Sequence, residues 1–305
     1  MKYLIVGTGG TGGSIGSFLA MAGKDVTFIS RGKNLERFKE EGLFFKSGIK
    51  GDHQIKNARF VSEEEYTEKA DVIFVCVKGY SVKNILSIIE KAAHEKTVII
   101  PIMNGYNMGA TISRDLKLGQ ALEGCIYISA FVESPGTIVQ LGPLFKVVFG
   151  QTEGQTVDRS ILEAIKNDLA DSGVDTTLSS DIQRDTFKKF TFISAYAACG
   201  AYYDITAEGM QGDTEYRVTF MDLCKEIEGI GKGLGLNLDV DIVEANLTIL
   251  HSLTPDTTAS MQKDMAAGRK CEMDGLVFQV IRLGKSLGIT TPVYDKIGKH
   301  FGFEK

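Results

Sequence analysis

The sequence predicts an α/β protein, with a doubly wound parallel sheet in its N-terminal part and an all-α domain after it. Three observations carry this reading. Short unbroken apolar runs alternate with helix-like stretches over residues 1 to about 150. A glycine-rich turn, Gly7-Thr8-Gly9-Gly10-Thr11-Gly12, follows the first of those runs directly. Beyond about Asp181 the strand pattern ends and helical periodicity takes over. Strands buried on both faces read as continuous β-branched runs, the pattern of a parallel sheet covered by helices. Their alternation with helices gives a doubly wound sheet with right-handed crossovers.

In chain order, Lys2–Val6 is the first strand, Ser14–Gly23 a helix and Asp25–Ser30 the second strand. Val72–Val77 (VIFVCV) and Val98–Ile102 are two further buried strands. Residues 122–150 differ. Cys125–Val132, Thr137–Leu141 and Phe145–Phe149 are short strands punctuated by Pro135-Gly136 and Gly142-Pro143. They are expected to form a hairpin-like extension at one edge of the sheet. A helix over Asp158–Ser172 and a strand over Asp175–Leu178 complete this part. Helices are then expected at 182–208, 213–234, 239–252, 256–270 and 271–288. The change of class divides the chain into domains 1–180 and 181–305.

Composition excludes several classes. The 305 residues suffice for two domains with proper cores. With 43% apolar and 24% charged residues, neither disorder nor a fibrous architecture is indicated. A net charge of −5 argues against a nucleic-acid partner, which calls for a basic face. No apolar run reaches the roughly 18–20 residues of a membrane span. Glycines interrupt the N-terminal run Tyr3-Leu4-Ile5-Val6 too early for a signal peptide, so a cytoplasmic protein is expected. Cys76, Cys125, Cys199, Cys224 and Cys271 are scattered and never form a C-x-x-C pair. They predict buried or incidental thiols and no metal site or disulfide framework. The apolar helices of the second domain pack within the chain or across a homodimer.

The glycine turn gains its meaning from its place between a strand and a helix. Gly7 permits the tight turn, Gly9 lets backbone approach a pyrophosphate, and Gly12 lets the helix pack closely on the strand. Free N–H groups and the positive dipole end at the helix start suit phosphates. Domain 1–180 is therefore a Rossmann-type dinucleotide domain. At the end of the second strand an NAD enzyme carries an acidic residue for the ribose 2′-hydroxyl. This chain has Ser30-Arg31-Gly32-Lys33. A guanidinium suits a 2′-phosphate, which predicts NADPH as cofactor. Lys78 follows VIFVCV and Asn104-Gly105 follows VIIPIM, both at strand ends where open α/β sheets bind ligands. Lys78 suits phosphate or ribose, and Asn104 the nicotinamide ribose or substrate.

With these pieces in place, the chain resembles the ketopantoate (2-dehydropantoate 2-) reductases over nearly its full length. The matches run in order. After the glycine turn come Arg31, Val77-Lys78, Asn104-Gly105, Ala130 and Pro135-Gly136, then Phe187-Lys188-Lys189-Phe190. Ser260-Met261-x-x-Asp264, Gly268-Arg269, Glu272, Gly275 and Pro292 follow. The resemblance implies NADPH-dependent reduction of a small 2-oxo acid to a 2-hydroxy acid, foremost 2-dehydropantoate to pantoate in pantothenate biosynthesis. It implies that Lys189 is the general acid toward the forming alkoxide, supported by Glu272, which also serves the cofactor. It further implies that Ser260 binds substrate, that Asn104 touches cofactor and substrate, and that Ala130 meets the cofactor through its backbone. Domain 181–305 is then the substrate and catalytic domain.

The chain departs from the family pattern at three positions, one of them Phe187, which stands where the family carries a tryptophan. The family carries asparagines four and eight residues after the lysine, on one helix face. Here those positions are Ile193 and Ala197. Ser194 or Tyr196 would have to compensate, or the substrate is a different, more apolar 2-oxo acid. A non-catalytic NADP(H)-binding regulator on the same fold is the alternative.

Overall fold

A computed structural model describes residues 1–304. They divide into two compact units. One comprises residues 1–103 and 107–182, and the other residues 104–106 together with the chain from Gln183 onward.

The N-terminal unit runs β1 (Lys2–Val6), α1 (Gly10–Met21), β2 (Asp25–Ile29), α2 (Gly32–Glu41), β3 (Leu43–Ser47), β4 (Gly51–Ile55), β5 (Arg59–Val61) and β6 (Val72–Val75). It continues with α3 (Val82–Ala92), β7 (Val98–Pro101), α4 (Met108–Ser113), β8 (Gln120–Ala121), β9 (Glu123–Ser134), β10 (Thr137–Gly150), α5 (Arg159–Asp171) and β11 (Asp175–Leu178). Six parallel strands form one sheet in the order β5-β2-β1-β6-β7-β8. This is a Rossmann-type sheet whose winding reverses between β1 and β6. The continuous apolar runs serve two cores at once, because successive side chains point to opposite faces. Tyr3, Ile5, Val72 and Phe74 pack with Ile15 and Phe18 of α1, whereas Leu4, Val6, Ile73 and Val75 pack with Ile85, Ile88 and Ile89 of α3.

The expected edge extension is instead part of a separate sheet. Its order is β11-β10-β3-β4, with β9 also paired to β10. The reason is that β10 is long enough to hold different partners along its length. It pairs in parallel with β3 at Thr137–Gln140 and with β11 at Lys146–Phe149, and antiparallel with β9. Gly142-Pro143 does not end the strand. It sits in a register shift between Leu141 and Phe145, where a missing N–H is tolerated. This second sheet covers α1, with Phe18 edge-on to Phe45 and Phe145 at 5.9 and 4.7 Å.

Other boundaries move as well. The first helix starts at Gly10 rather than Ser14, inside the glycine turn itself. The strands begun at Val72 and Val98 end at Val75 and Pro101, short of Val77 and Ile102.

The helical unit comprises α6 (Ile182–Tyr203), α7 (Ala207–Gln211), α8 (Glu215–Gly233), α9 (Ile242–Ser252), α10 (Ser260–Ala266), α11 (Gln279–Leu287) and α12 (Pro292–His300). The helix expected over 182–208 stops at Tyr203, because Asp204 takes a left-handed conformation (φ 54°). The one expected over 256–270 shrinks to α10, and 271–288 divides into a π-helical turn, Asp274–Phe278, and α11. Thr214 and Asp241 cap α8 and α9 by accepting from Arg217 N–H and Glu244 N–H. Glu226 of α8 accepts from Val293 and Tyr294 N–H at the start of α12. Phe187, Phe190, Ala198 and Cys199 of α6 lie in the core these helices share. Among the described residues, no helix is long and apolar enough to cross a membrane.

Candidate active site

The glycine turn connects β1 to α1, and each glycine answers to a different neighbour. Gly7 has φ +101°, and a Cβ there would meet the Cys76 carbonyl carbon at 2.9 Å. A Cβ on Gly10 would run into the Ala130 carbonyl, and one on Gly12 into Gly7 O. At Gly9 a Cβ would meet nothing within 4 Å. Three of the glycines are thus required by backbone packing, while Gly9 leaves the outer face of the turn open. Gly9 is also the N-cap of α1 and places no side chain over the helix start. Thr11 is half-buried in its first turn. Burial of the Cys76 sulfur pushes its pKa up, so the thiol beneath Gly7 and Gly12 is a neutral packing group.

Neighbouring strand ends complete this surface. Thr8 donates from its hydroxyl to Ile29 O (2.9 Å), and Ser30 donates to Thr8 Oγ1 (2.8 Å). The end of β2 is thereby tied to the glycine turn. Where an acidic ribose ligand would be expected, the chain places buried Ser30, and Arg31 follows it exposed at the N-cap of α2. Lys78 is half-buried past the end of β6, and its carbonyl accepts from Ser81 N–H (2.8 Å). Gly7, Thr8, Gly9, Gly10, Thr11, Gly12, Ala130, Arg31 and Lys78 thus lie at or beside the C-terminal ends of β1, β2 and β6. An open helix start, a turn left open at Gly9 and an exposed guanidinium fit a phosphorylated dinucleotide.

The helical unit assembles a second group of side chains. Lys189 of α6 donates from Nζ to Asn104 Oδ1 at 3.3 Å, and Asn104 donates from Nδ2 to Glu272 Oε2 at 3.4 Å. Glu272 is buried, 6% exposed. By accepting from Nδ2, Glu272 selects the amide orientation that turns Oδ1 toward the lysine. Asn104 is anchored two residues on. Tyr106 packs edge-on to Phe187 at 4.9 Å and stacks on Phe190 at 6.2 Å, while its carbonyl accepts from Gln279 Nε2 at 2.9 Å. These contacts explain why residues 104–106 group with the helical unit.

The structure also tells the tandem lysines apart. Lys188 pairs with Asp239, which also faces Arg184 at 3.8 Å. Ser260 is exposed on the first turn of α10 and lies outside the hydrogen bonds of the Lys189–Asn104–Glu272 trio. Ile193 is half-buried and Ala197 is 1% exposed. Ser194 and Tyr196 do not stand in for the two asparagines. Ser194 donates to Leu276 O at 2.5 Å beside the Tyr294 hydroxyl at 2.7 Å, and Tyr196 donates to Thr257 O at 2.7 Å. Burial pushes the Tyr196 phenol up to about 12, so it stays protonated at neutral pH.

Three features escaped the sequence reading. The Thr8–Ser30 pair joins hydroxyls 22 residues apart, with no local signal. The Ser194–Tyr294 pair spans 100 residues. Tyr106 had a signal, an aromatic side chain directly after Asn104-Gly105.

Comparison with known proteins gives this geometry its context. Residues 3–154 match the family described as ketopantoate reductase PanE/ApbA, and residues 181–301 match its C-terminal counterpart, ketopantoate reductase PanE/ApbA C terminal. An uncharacterized oxidoreductase of Bacillus subtilis, YkpB, is 29% identical over 297 residues, covering 97% of this chain and 96% of its own. The 2-dehydropantoate 2-reductase of Aquifex aeolicus is 25% identical over 303 residues, covering 98% and 95%. Among solved structures, D-mandelate dehydrogenase with NADH and anilino(oxo)acetate shares the fold with a TM-score of 0.87 at 19% identity. The match covers 98% of this chain and 96% of that one.

Proposed function

Because the chain belongs to the ketopantoate reductase family and is an oxidoreductase, we propose that it reduces a 2-oxo acid to the 2-hydroxy acid with NADPH. The reference substrate is 2-dehydropantoate, giving pantoate for pantothenate biosynthesis in the cytoplasm. The observation that supports this best is the chain of bonds from Lys189 through Asn104 to Glu272.

When bound, NADPH supplies a hydride to the carbonyl carbon. The chain's own residues manage the oxygen. As the C=O π bond breaks and the new C–H bond forms, negative charge gathers on that oxygen. The Lys189 ammonium stabilises this charge and transfers a proton to it, forming the O–H of the product. Asn104 accepts one N–H of the ammonium, which fixes the head group. Glu272 fixes Asn104 in turn by accepting from its Nδ2. In the N-terminal unit the glycine turn with Lys78 and Ala130 receives the dinucleotide, and Arg31 receives its 2′-phosphate. Ser260 is assigned to the substrate.

Replacing Lys189 tests the proposal. Lys189→Ala should lower kcat by about 10²–10⁴-fold, while NADPH affinity by fluorescence titration stays within about twofold. Lys188→Ala should keep near wild-type turnover, because Lys188 is committed to Asp239. Undiminished turnover in Lys189→Ala would remove the lysine from the mechanism. NADPH binding without turnover of any 2-oxo acid by the wild type would favour a dinucleotide-binding regulator.

A further inference from the structure

The wall that α6 presents beyond Lys189 bears on substrate choice. Helical side chains lean toward the N-terminus, so a residue one turn after Lys189 covers the surface beside the lysine stem. That residue is Ile193, half-buried against the helical core, and the next turn on the same face brings Ala197. Neither side chain carries a hydrogen-bonding group.

The polar side chains that flank Ile193 and Ala197 along α6 are committed elsewhere, and Ser260, the hydroxyl assigned to the substrate, belongs to α10 and not to this wall. Ser194 is fully buried and donates to Leu276 O. Tyr196 donates to Thr257 O and stacks on Phe192 at 5.5 Å. Gln262, which lies against Gly200 one turn further along α6, uses both ends of its amide. Its Oε1 accepts from Ala259 N–H at 3.0 Å, and its Nε2 donates to Ile205 O at 2.9 Å. Thr191 donates to Lys188 O at 2.7 Å. A hydroxyl on the substrate tail would give up water here without finding a partner, whereas a methyl in the same place would gain from burial.

Resting on the reductase reading above, we infer that this face of α6 selects 2-oxo acids with an unhydroxylated alkyl tail, and that Ile193 is the residue that sets the selection. The trio of Lys189, Asn104 and Glu272 handles the oxo group common to all such acids. The tail is where they differ.

Two compounds isolate the effect. 2-Dehydropantoate is 4-hydroxy-3,3-dimethyl-2-oxobutanoate, and 3,3-dimethyl-2-oxobutanoate differs from it only in lacking the hydroxyl. The wild-type protein with NADPH should turn over the unhydroxylated compound with a kcat/KM about 10- to 100-fold higher, the range in which an apolar wall discriminates against an added hydroxyl. Ile193→Asn should move the ratio at least tenfold toward 2-dehydropantoate. Ile193→Thr keeps the branched shape while adding a hydroxyl, and should move it in the same direction should the asparagine variant fold poorly. Preference of the wild type for 2-dehydropantoate, or a ratio that neither variant shifts, overturns the inference and leaves the reductase reading intact. Turnover of neither compound, nor of any other 2-oxo acid, overturns the reductase reading and the inference with it.

Discussion

The glycine turn of the N-terminal unit and the Lys189 trio of the helical unit are built by opposite means. The turn is six consecutive residues whose work is done by backbone and by the absence of side chains: Gly10 admits the Ala130 carbonyl, and Gly12 admits Gly7 O. The trio is made of side chains from segments 85 and 168 residues apart. A site made of backbone is written locally, since only glycine fits such approaches. A site made of side chains is written nowhere in particular, because a helix lysine or glutamate is common on any solvated face. Lys188 and Lys189 are adjacent and chemically identical. What distinguishes them is Asp239 beside one and Asn104 beside the other.

If the helical site depends on distant polar contacts, removing one of them should weaken that unit and spare the other. Ser194 is the place to do so. Its hydroxyl donates to Leu276 O at the π-helical turn that follows Glu272, so the Tyr294 hydroxyl must be the donor to Ser194. Ser194→Ala leaves a buried carbonyl and a buried phenol short of a partner. It should cost about 1–3 kcal/mol of stability in urea unfolding. Tyr294→Phe should cost much less in the Ser194→Ala background than alone, because the two hydroxyls act as one network. NADPH affinity should not change. Full additivity of the two substitutions would show that the hydroxyls act independently.

The same contrast explains what was legible in the sequence. The doubly wound sheet could be read because VIFVCV and its neighbours bury both faces, and the glycine turn because the glycines that answer each close approach stand within six consecutive residues, even where the approaching atoms belong to Cys76 and Ala130. The second sheet could not. Four of the five β4 residues are exposed, so the strand lacks a hydrophobic signature. Besides its neighbour β9, β10 pairs with β3 and β11, on either side of it in the chain, and nothing local names them. Gly142-Pro143 looked like a turn and is a bulge within a continuous strand. In the helical unit, Asp204 ended a helix where apolar periodicity continued. Asn104 was singled out by its place at a strand end, and Lys189 and Glu272 through the family resemblance. Their mutual bonds required the fold, as did the finding that Ser194 and Tyr196 are committed elsewhere.

Arg31 sharpens the comparison from the other side, since on the proposed function it is a side chain added to a backbone-built site. It is exposed, so water and salt compete for its charge. Arg31→Ala should therefore raise KM for NADPH by only about tenfold, toward the low end for a hydrogen bond to a charged group. KM for NADH should stay within about twofold, because the glycine turn itself is untouched. An equal loss for both dinucleotides would place Arg31 at the shared phosphates rather than the 2′-phosphate.

The smallest effect concerns electrostatics that hold the N-terminal unit together away from the turn. Asp168 of α5 accepts from Tyr3 Oη at 2.7 Å and from Lys24 Nζ at 2.6 Å. Burial opposes ionisation of Asp168, but the bonds from Lys24 and Tyr3 outweigh it and hold the carboxyl below the usual carboxylate range. A folded-state value below the unfolded one, near 3.9, means that the contribution is present above the unfolded value. It is lost as pH falls through the folded one. Lys24 and Asp168 keep side-chain exposures of 25% and 18%, so screening limits the gain to about 1 kcal/mol. Asp168→Asn should therefore lower stability by about that amount at pH 7, and the gap to wild type in urea unfolding should close steadily below about pH 4. A gap that stays constant into acid would mean that Asp168 acts through its shape and neutral hydrogen bonds and not through its charge. The N-terminal unit would then rely on packing here as fully as the glycine turn does.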